Sequence, residues 1–175
     1  MKTFSVLKIN LSRVLAIGLL FFFVMGCSES TEDHNKEIVK DIYQKAINAH
    51  NTEYLNSMLA DNYTRHSQSS PPGLQEITNK ETFLNFIETH FKAFPDWNEK
   101  IEFMVAEDDK VAFLTTGTGT NSGNMGDIPA TGKSVNIQNL IVHRIDENNK
   151  IAETWVLWDN VAFLSQLGLY PPATE

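Results

Sequence analysis

Apolar and polar positions change their spacing partway along the chain. From Ile38 to Leu59 the apolar residues recur at helical intervals: Ile38, Ile42, Tyr43 and Ala46 form one stripe, and Tyr54, Leu55, Met58 and Leu59 another after a break at His50-Asn51. Two helices are predicted there. Residues 62–66 are short and aromatic and lead into Ser67-Gln68-Ser69-Ser70-Pro71-Pro72-Gly73, a turn-rich loop. A third helix starts near Thr78, where Thr78 and Glu81 match a capping box whose side chains satisfy exposed backbone N–H groups. It carries Phe83, Phe86, Ile87 and Phe91 inward and ends at Pro95.

Beyond Asp96 the period falls to two. Strands are predicted over residues 97–106, 110–120, 134–145 and 151–158, separated by Asp, Asn and Gly turns, the Glu107-Asp108-Asp109 turn being a solvated hairpin tip. A short helix over residues 160–167 follows, with Val161, Leu164 and Leu167 at helical spacing and Gly168 as its C-terminal cap. A sheet with one apolar face must be covered, and the helices supply the cover. The fold class is α+β.

The first 26 residues follow a different pattern: a basic start (Lys2, Lys8, Arg13), an apolar run over residues 14–25, and Gly26. That is the layout of a secretory signal. The run is about a dozen residues long, short of the ~20 that a helix needs to cross a bilayer. Val24-Met25-Gly26-Cys27 resembles a lipobox, and Cys27 is the only cysteine in the chain. Cys27 is therefore expected to carry lipid, as the first residue of an exported lipoprotein anchored in the cell envelope. Residues 1–26 are read as the signal peptide, 27–33 as a lipidated acidic tether, 34–170 as one domain, and 171–175 as a C-terminal tail.

Removing the three basic residues of the signal takes the net charge from −8 to −11. Nucleic acid is thus not an expected partner, nor is an anionic membrane surface, since both need positive patches. No metal site is predicted, because the chain has no His-x-x-x-His, paired cysteine or calcium loop. Gly117, Gly119 and Gly123 lie in a strand and its hairpin rather than before a helix, so no nucleotide site is expected, and no cofactor.

Phe94-Pro95-Asp96-Trp97, the stretch from Gly119-Thr120-Asn121-Ser122-Gly123 to Ile128-Pro129-Ala130-Thr131-Gly132-Lys133, and the ending Glu153-Thr154-Trp155 through Asp159 to Gln166-Leu167-Gly168 resemble the SnoaL-like polyketide cyclases, or ester cyclases. The resemblance runs from about Asn35 to Gly168. It implies the nuclear transport factor 2-like fold, a curved antiparallel sheet wrapped around N-terminal helices into a cone with a pocket at its wide end. It also implies a small apolar molecule as partner, a homodimer through the outer face of the sheet, and Asp159 as acid/base in an aldol closure. Asn121 stands where many relatives have a histidine.

Strand alternation supplies further candidates. Val135, Ile137, Asn139, Ile141, His143 and Ile145 share the more apolar face and are assigned inward, while Ile151, Glu153, Trp155, Leu157 and Asp159 share a face of the last strand. In simple register His143 sits opposite Glu153 and Asn139 opposite Leu157; a bulge reverses the assignment. The expected cavity is lined by Asp159, Trp155 and His143, joined by Glu153 and Asn139, with Tyr63 and His66 near its mouth. Asp159 and His143 are the catalytic candidates and the other five would bind ligand. Asp159 has a second reading as the N-cap of the last helix, His143 as a structural histidine and His66 as an ordinary exposed one. Function therefore stands between cyclase- or isomerase-type acid/base chemistry on an apolar carbonyl compound and a noncatalytic ligand-binding or dimerisation module.

Overall fold

Ser30 opens the first helix, its Oγ accepting from the Asp33 N–H at 3.2 Å. The computed structural model describes residues 30–170. Helix α1 (Thr31–Ile42) runs on into a wider π-helical turn, Tyr43–Ile47. The last three residues of the predicted tether thus belong to the helix, with Glu32 and Asp33 in its first turn. Acidic groups there are favoured by the helix dipole. Cys27 and residues 171–175 lie outside the described residues. The chain breaks at His50 in the left-handed region (φ 50°), and α2 (Thr52–Met58) is capped by Asn51, whose side chain accepts from Tyr54 N–H at 2.9 Å.

Strand β1 (Leu59–His66) is longer than predicted, and a two-residue β2 (Glu76–Ile77) follows the serine-proline loop. Helix α3 (Lys80–Ala93) is capped by Asn79 rather than Thr78, the Asn79 side chain accepting from Thr82 N–H at 2.7 Å. Asparagine is at least as good a cap as threonine, and the helix starts one residue later. Then come β3 (Asn98–Glu107), β4 (Lys110–Thr120), β5 (Ser134–Ile145), β6 (Ile151–Trp158) and α4 (Asn160–Leu167). The sheet order is β2-β1-β6-β5-β4-β3. The meander β3 to β6 is antiparallel as predicted, whereas β1 lies parallel to β6.

One face of the sheet is covered by helices: α1 packs on β3 and β4, α3 on β1, and α4 on β5. The buried side chains form two apolar clusters. Val39, Ile42, Tyr63, Val111, Phe113 and Ile141 belong to the larger, and Phe94, Trp97, Val135, Ile137 and Leu167 to the smaller. Each fully buried large side chain contributes about 1.5–3 kcal/mol. Between the clusters the inner face turns polar, at Thr115 after Phe113 on β4 and at Asn139 between Ile137 and Ile141 on β5.

On the outer face, Phe103, Leu114, Leu140 and Leu157 pair in one straight row across β3 to β6. Phe103, Leu140 and Leu157 are exposed. Bulges at Glu102 in β3 and Ala152 in β6 interrupt the pairing and add to the sheet's bend. No helix among the described residues is long and apolar enough to cross a membrane.

Candidate functional site

The link from α3 to β3 builds the polar belt. Phe94 is fully buried where α3 stops, and Trp97 N–H donates back to its carbonyl at 3.0 Å. Asp96 accepts from Thr120 N–H at 2.7 Å, which fastens the link to the end of β4 and holds the Asp96 carboxyl below its ordinary pKa. The Trp97 indole lies against Gly117 and Gly119; a Cβ on Gly117 would come within 2.5 Å of Cζ2, so only glycine leaves room. Held there, Trp97 Nε1–H reaches Glu99 Oε1 at 3.1 Å.

Glu99 is the centre of the belt. Thr115 Oγ1 donates to its Oε2 at 2.8 Å, and Asn139 Nδ2 donates to Thr115 Oγ1 at 3.2 Å while standing 3.5 Å from the carboxylate. Asn48 fixes the backbone, accepting from Glu99 N–H at 2.7 Å and donating to its carbonyl at 2.9 Å. Burial pushes the Glu99 carboxyl above its ordinary pKa, against the three side-chain hydrogen bonds that pull it down. Burial also drives the Tyr43 hydroxyl well up, helped by the charge of Glu99 and opposed by that of Arg65. His90 sits edge-on to Trp97 with ring centroids 4.5 Å apart, and burial lowers its pKa to about 4. The arrangement offers a half-buried carboxyl of raised pKa ringed by neutral donors, suited to holding or moving one proton. Two surface hollows of about 310 and 330 Å³ lie on the α1 side, and neither is lined by these residues.

A family model, SnoaL-like polyketide cyclase, matches residues 37–167. The chain belongs to the SnoaL-like polyketide cyclase family. A protein assigned to that family from Jannaschia sp. CCS1 superposes with TM-score 0.72 at 19% identity, covering 83% of this chain and 100% of that one. IdmH from Streptomyces antibioticus, assigned as a polyketide cyclase, gives TM-score 0.64 at 26% identity over 77% of this chain and 99% of its own. An epoxide hydrolase from M. tuberculosis, 12% identical over 79% of this chain and 92% of that one, shares the fold at TM-score 0.61. No curated protein matches the chain.

In this SnoaL-like chain the predicted wall of Asp159, Trp155 and His143 is not formed. The bulge at Ala152 shifts the register, so His143 pairs with Thr154, Asn139 with Trp158 and Arg144 with Glu153. Glu153 and Trp155 consequently face outward. There His66 joins them, 2.8 Å from Glu153 Oε1 and stacked on Trp155 at 5.5 Å, while Arg144 Nε–H donates to Glu153 Oε2 at 3.1 Å. His143 faces inward against Thr154 Oγ1 (2.9 Å), and burial takes its pKa to about 3. Asp159 is exposed and caps α4, accepting from Ala162 N–H at 2.9 Å. Tyr63 is buried deep against Phe83 rather than at a mouth, its centroid 4.8 Å from that ring.

Asn139 alone of the predicted binding residues joins the belt. Asn121 is fully buried and knots its loop: its amide donates to Gly123 O at 2.8 Å and its carbonyl accepts from Thr131 N–H at 2.8 Å. Glu99, Thr115 and Trp97 escaped the sequence reading as site residues. The one local signal was Phe94-Pro95-Asp96-Trp97, which fixes where β3 begins. Among the described residues no His/Cys/Asp/Glu group is arranged to hold a metal.

Proposed function

We propose that this SnoaL-like chain is an exported lipoprotein, held in the cell envelope by lipid on Cys27, whose interior binds a small apolar carbonyl compound and moves a proton on it through Glu99. The chemical part rests on one observation. Glu99 is a carboxyl raised by burial, with Thr115, Trp97 and Asn139 turned toward it. A raised carboxyl lies nearer the operating pH, where general acid/base catalysis is most effective. In this reading Asp159 is a helix cap.

The test is turnover of hydrophobic carbonyl compounds found by screening. Glu99→Gln is expected to lower turnover by roughly 100-fold or more, the usual range for a lost acid/base group, with binding retained. Asp159→Asn should stay near wild type. The reverse ranking would return the proton to Asp159 and sink the assignment.

The exposed, capping Asp159 favours a second reading, a noncatalytic binding module. Ligand binding without turnover across the same screen would support it. For the anchor, the basic start, short apolar run and lipobox are the support. Cys27→Ser is expected to leave a full-length precursor that takes up no radiolabelled palmitate; continued labelling would refute it. The apolar outer row supports a further proposal, a homodimer through that face of the sheet.

A further inference from the structure

Arg65 is buried, only 5% exposed, yet among the described residues no carboxylate lies within ion-pair distance of it. It sits on β1 two residues after Tyr63, opposite Thr154 of β6 and Ile77 of β2. Its Nη1–H donates to Ser70 Oγ at 3.1 Å, and its Cζ stands 5.0 Å from the Phe86 ring centroid and 5.9 Å from that of Trp158. A guanidinium carries five N–H donors in a planar fork that matches a carboxylate. One hydroxyl and two ring faces leave that fork largely unanswered. On the outer face, by contrast, Arg144 has Glu153 at 3.1 Å. Burial lowers the Arg65 pKa, as expected of a charge with incomplete compensation.

A second unpartnered group lies close by in the chain. Ser67 Oγ is buried without any hydrogen-bond partner. Ser67 and Ser70 belong to one turn, Ser70 N–H donating to the Ser67 carbonyl at 3.3 Å. Ser69 pins that turn to the end of β6, its Oγ donating to Trp158 O at 2.7 Å and accepting from Trp158 N–H at 3.0 Å. The outer residues Pro71, Pro72 and Gly73 are exposed, whereas Ser67 and Ser70 are buried.

We propose that Arg65, with the hydroxyls of Ser67 and Ser70, anchors the carboxylate of a monoanionic, otherwise apolar ligand. The inference rests on the small-molecule reading above and names the class of compound. A single cation between aromatic rings matches one negative charge on an apolar body; a polyanion such as phosphate would need further cations and is opposed by the acidic chain.

The full chain in detergent, titrated with hexanoate, benzoate and 2-naphthoate beside their methyl esters and followed by tryptophan fluorescence, tests this. An acid of the panel is expected to bind at least about tenfold tighter than its ester, the advantage of hydrogen bonds to a charged group. Arg65→Met should abolish that preference and, by removing a buried charge that no carboxylate balances, raise the Tm of the free chain. Ser67→Ala should leave Tm unchanged or higher and weaken acid binding several-fold. Acid and ester binding alike would overturn the inference and leave the small-molecule reading standing. A lowered Tm in Arg65→Met with acid preference intact in Ser67→Ala would make Arg65 a structural strap and overturn it too. Silence of the whole panel would count against both the small-molecule reading and the carboxylate site at Arg65.

Discussion

His143 is held neutral by what surrounds it. It lies among Tyr43, Phe113 and Thr154, and burial lowers its pKa to about 3; His90, buried beside Trp97, falls to about 4. In the unfolded chain both titrate near 6.5, so below that pH the unfolded state binds more protons and stability falls as pH falls. Each histidine removes ~1.4 kcal/mol per pH unit, beginning near pH 6.5 and continuing to about 4 for His90 and about 3 for His143. Glu99 has the opposite sign, since its folded pKa is raised, and offsets part of the loss. Urea denaturation between pH 7 and pH 5 should show falling stability, with a shallower slope in His143→Gln. Equal slopes for wild type and variant would remove His143 from the account. That His143 points inward was legible from alternation on β5. Glu99 was not, because Asn98-Glu99-Lys100 reads as the polar start of a strand, and its partners Thr115 and Asn139 arrive only through cross-strand register.

At the scale of elements, the strands of the meander could be read because apolar residues alternate and polar turns separate them. Helix α4 could be read because both of its ends are written locally, in the Asp159 cap and in Gly168, whose φ of 74° suits glycine. Register could not. One additional residue, Ala152, turns Glu153 and Trp155 to the outer face while leaving His143 inside, and no local composition marks it as a bulge. The parallel pairing of β1 with β6 was equally hidden, since strands 85 or more residues apart share no turn to advertise it. That pairing carries Tyr63 and Arg65 to the inner face and brings His66 to Glu153 on the outer one.

At the scale of the molecule, the outer row from Phe103 to Leu157 is where a second copy is expected to dock. Leu140, 51% exposed and in register with both Leu114 and Leu157, lies at its middle. Leu140→Glu would desolvate a carboxylate in such a contact, so it is expected to sediment as a monomer at micromolar concentration where wild type sediments as a dimer. A monomeric wild type under those conditions would remove the homodimer. The sequence by itself determined the α+β class, the order of the principal elements and the inward face of β5, because periodicity, caps and turns are encoded within a few residues of where they act. Only the tertiary structure decided which polar groups meet: Glu99 with Thr115, Asn139 and Trp97, and Arg65 beneath the Ser67–Ser70 turn. The first meeting depends on the register of β3, β4 and β5 and the second on the parallel pairing of β1 with β6, and neither is written in a local pattern of the chain.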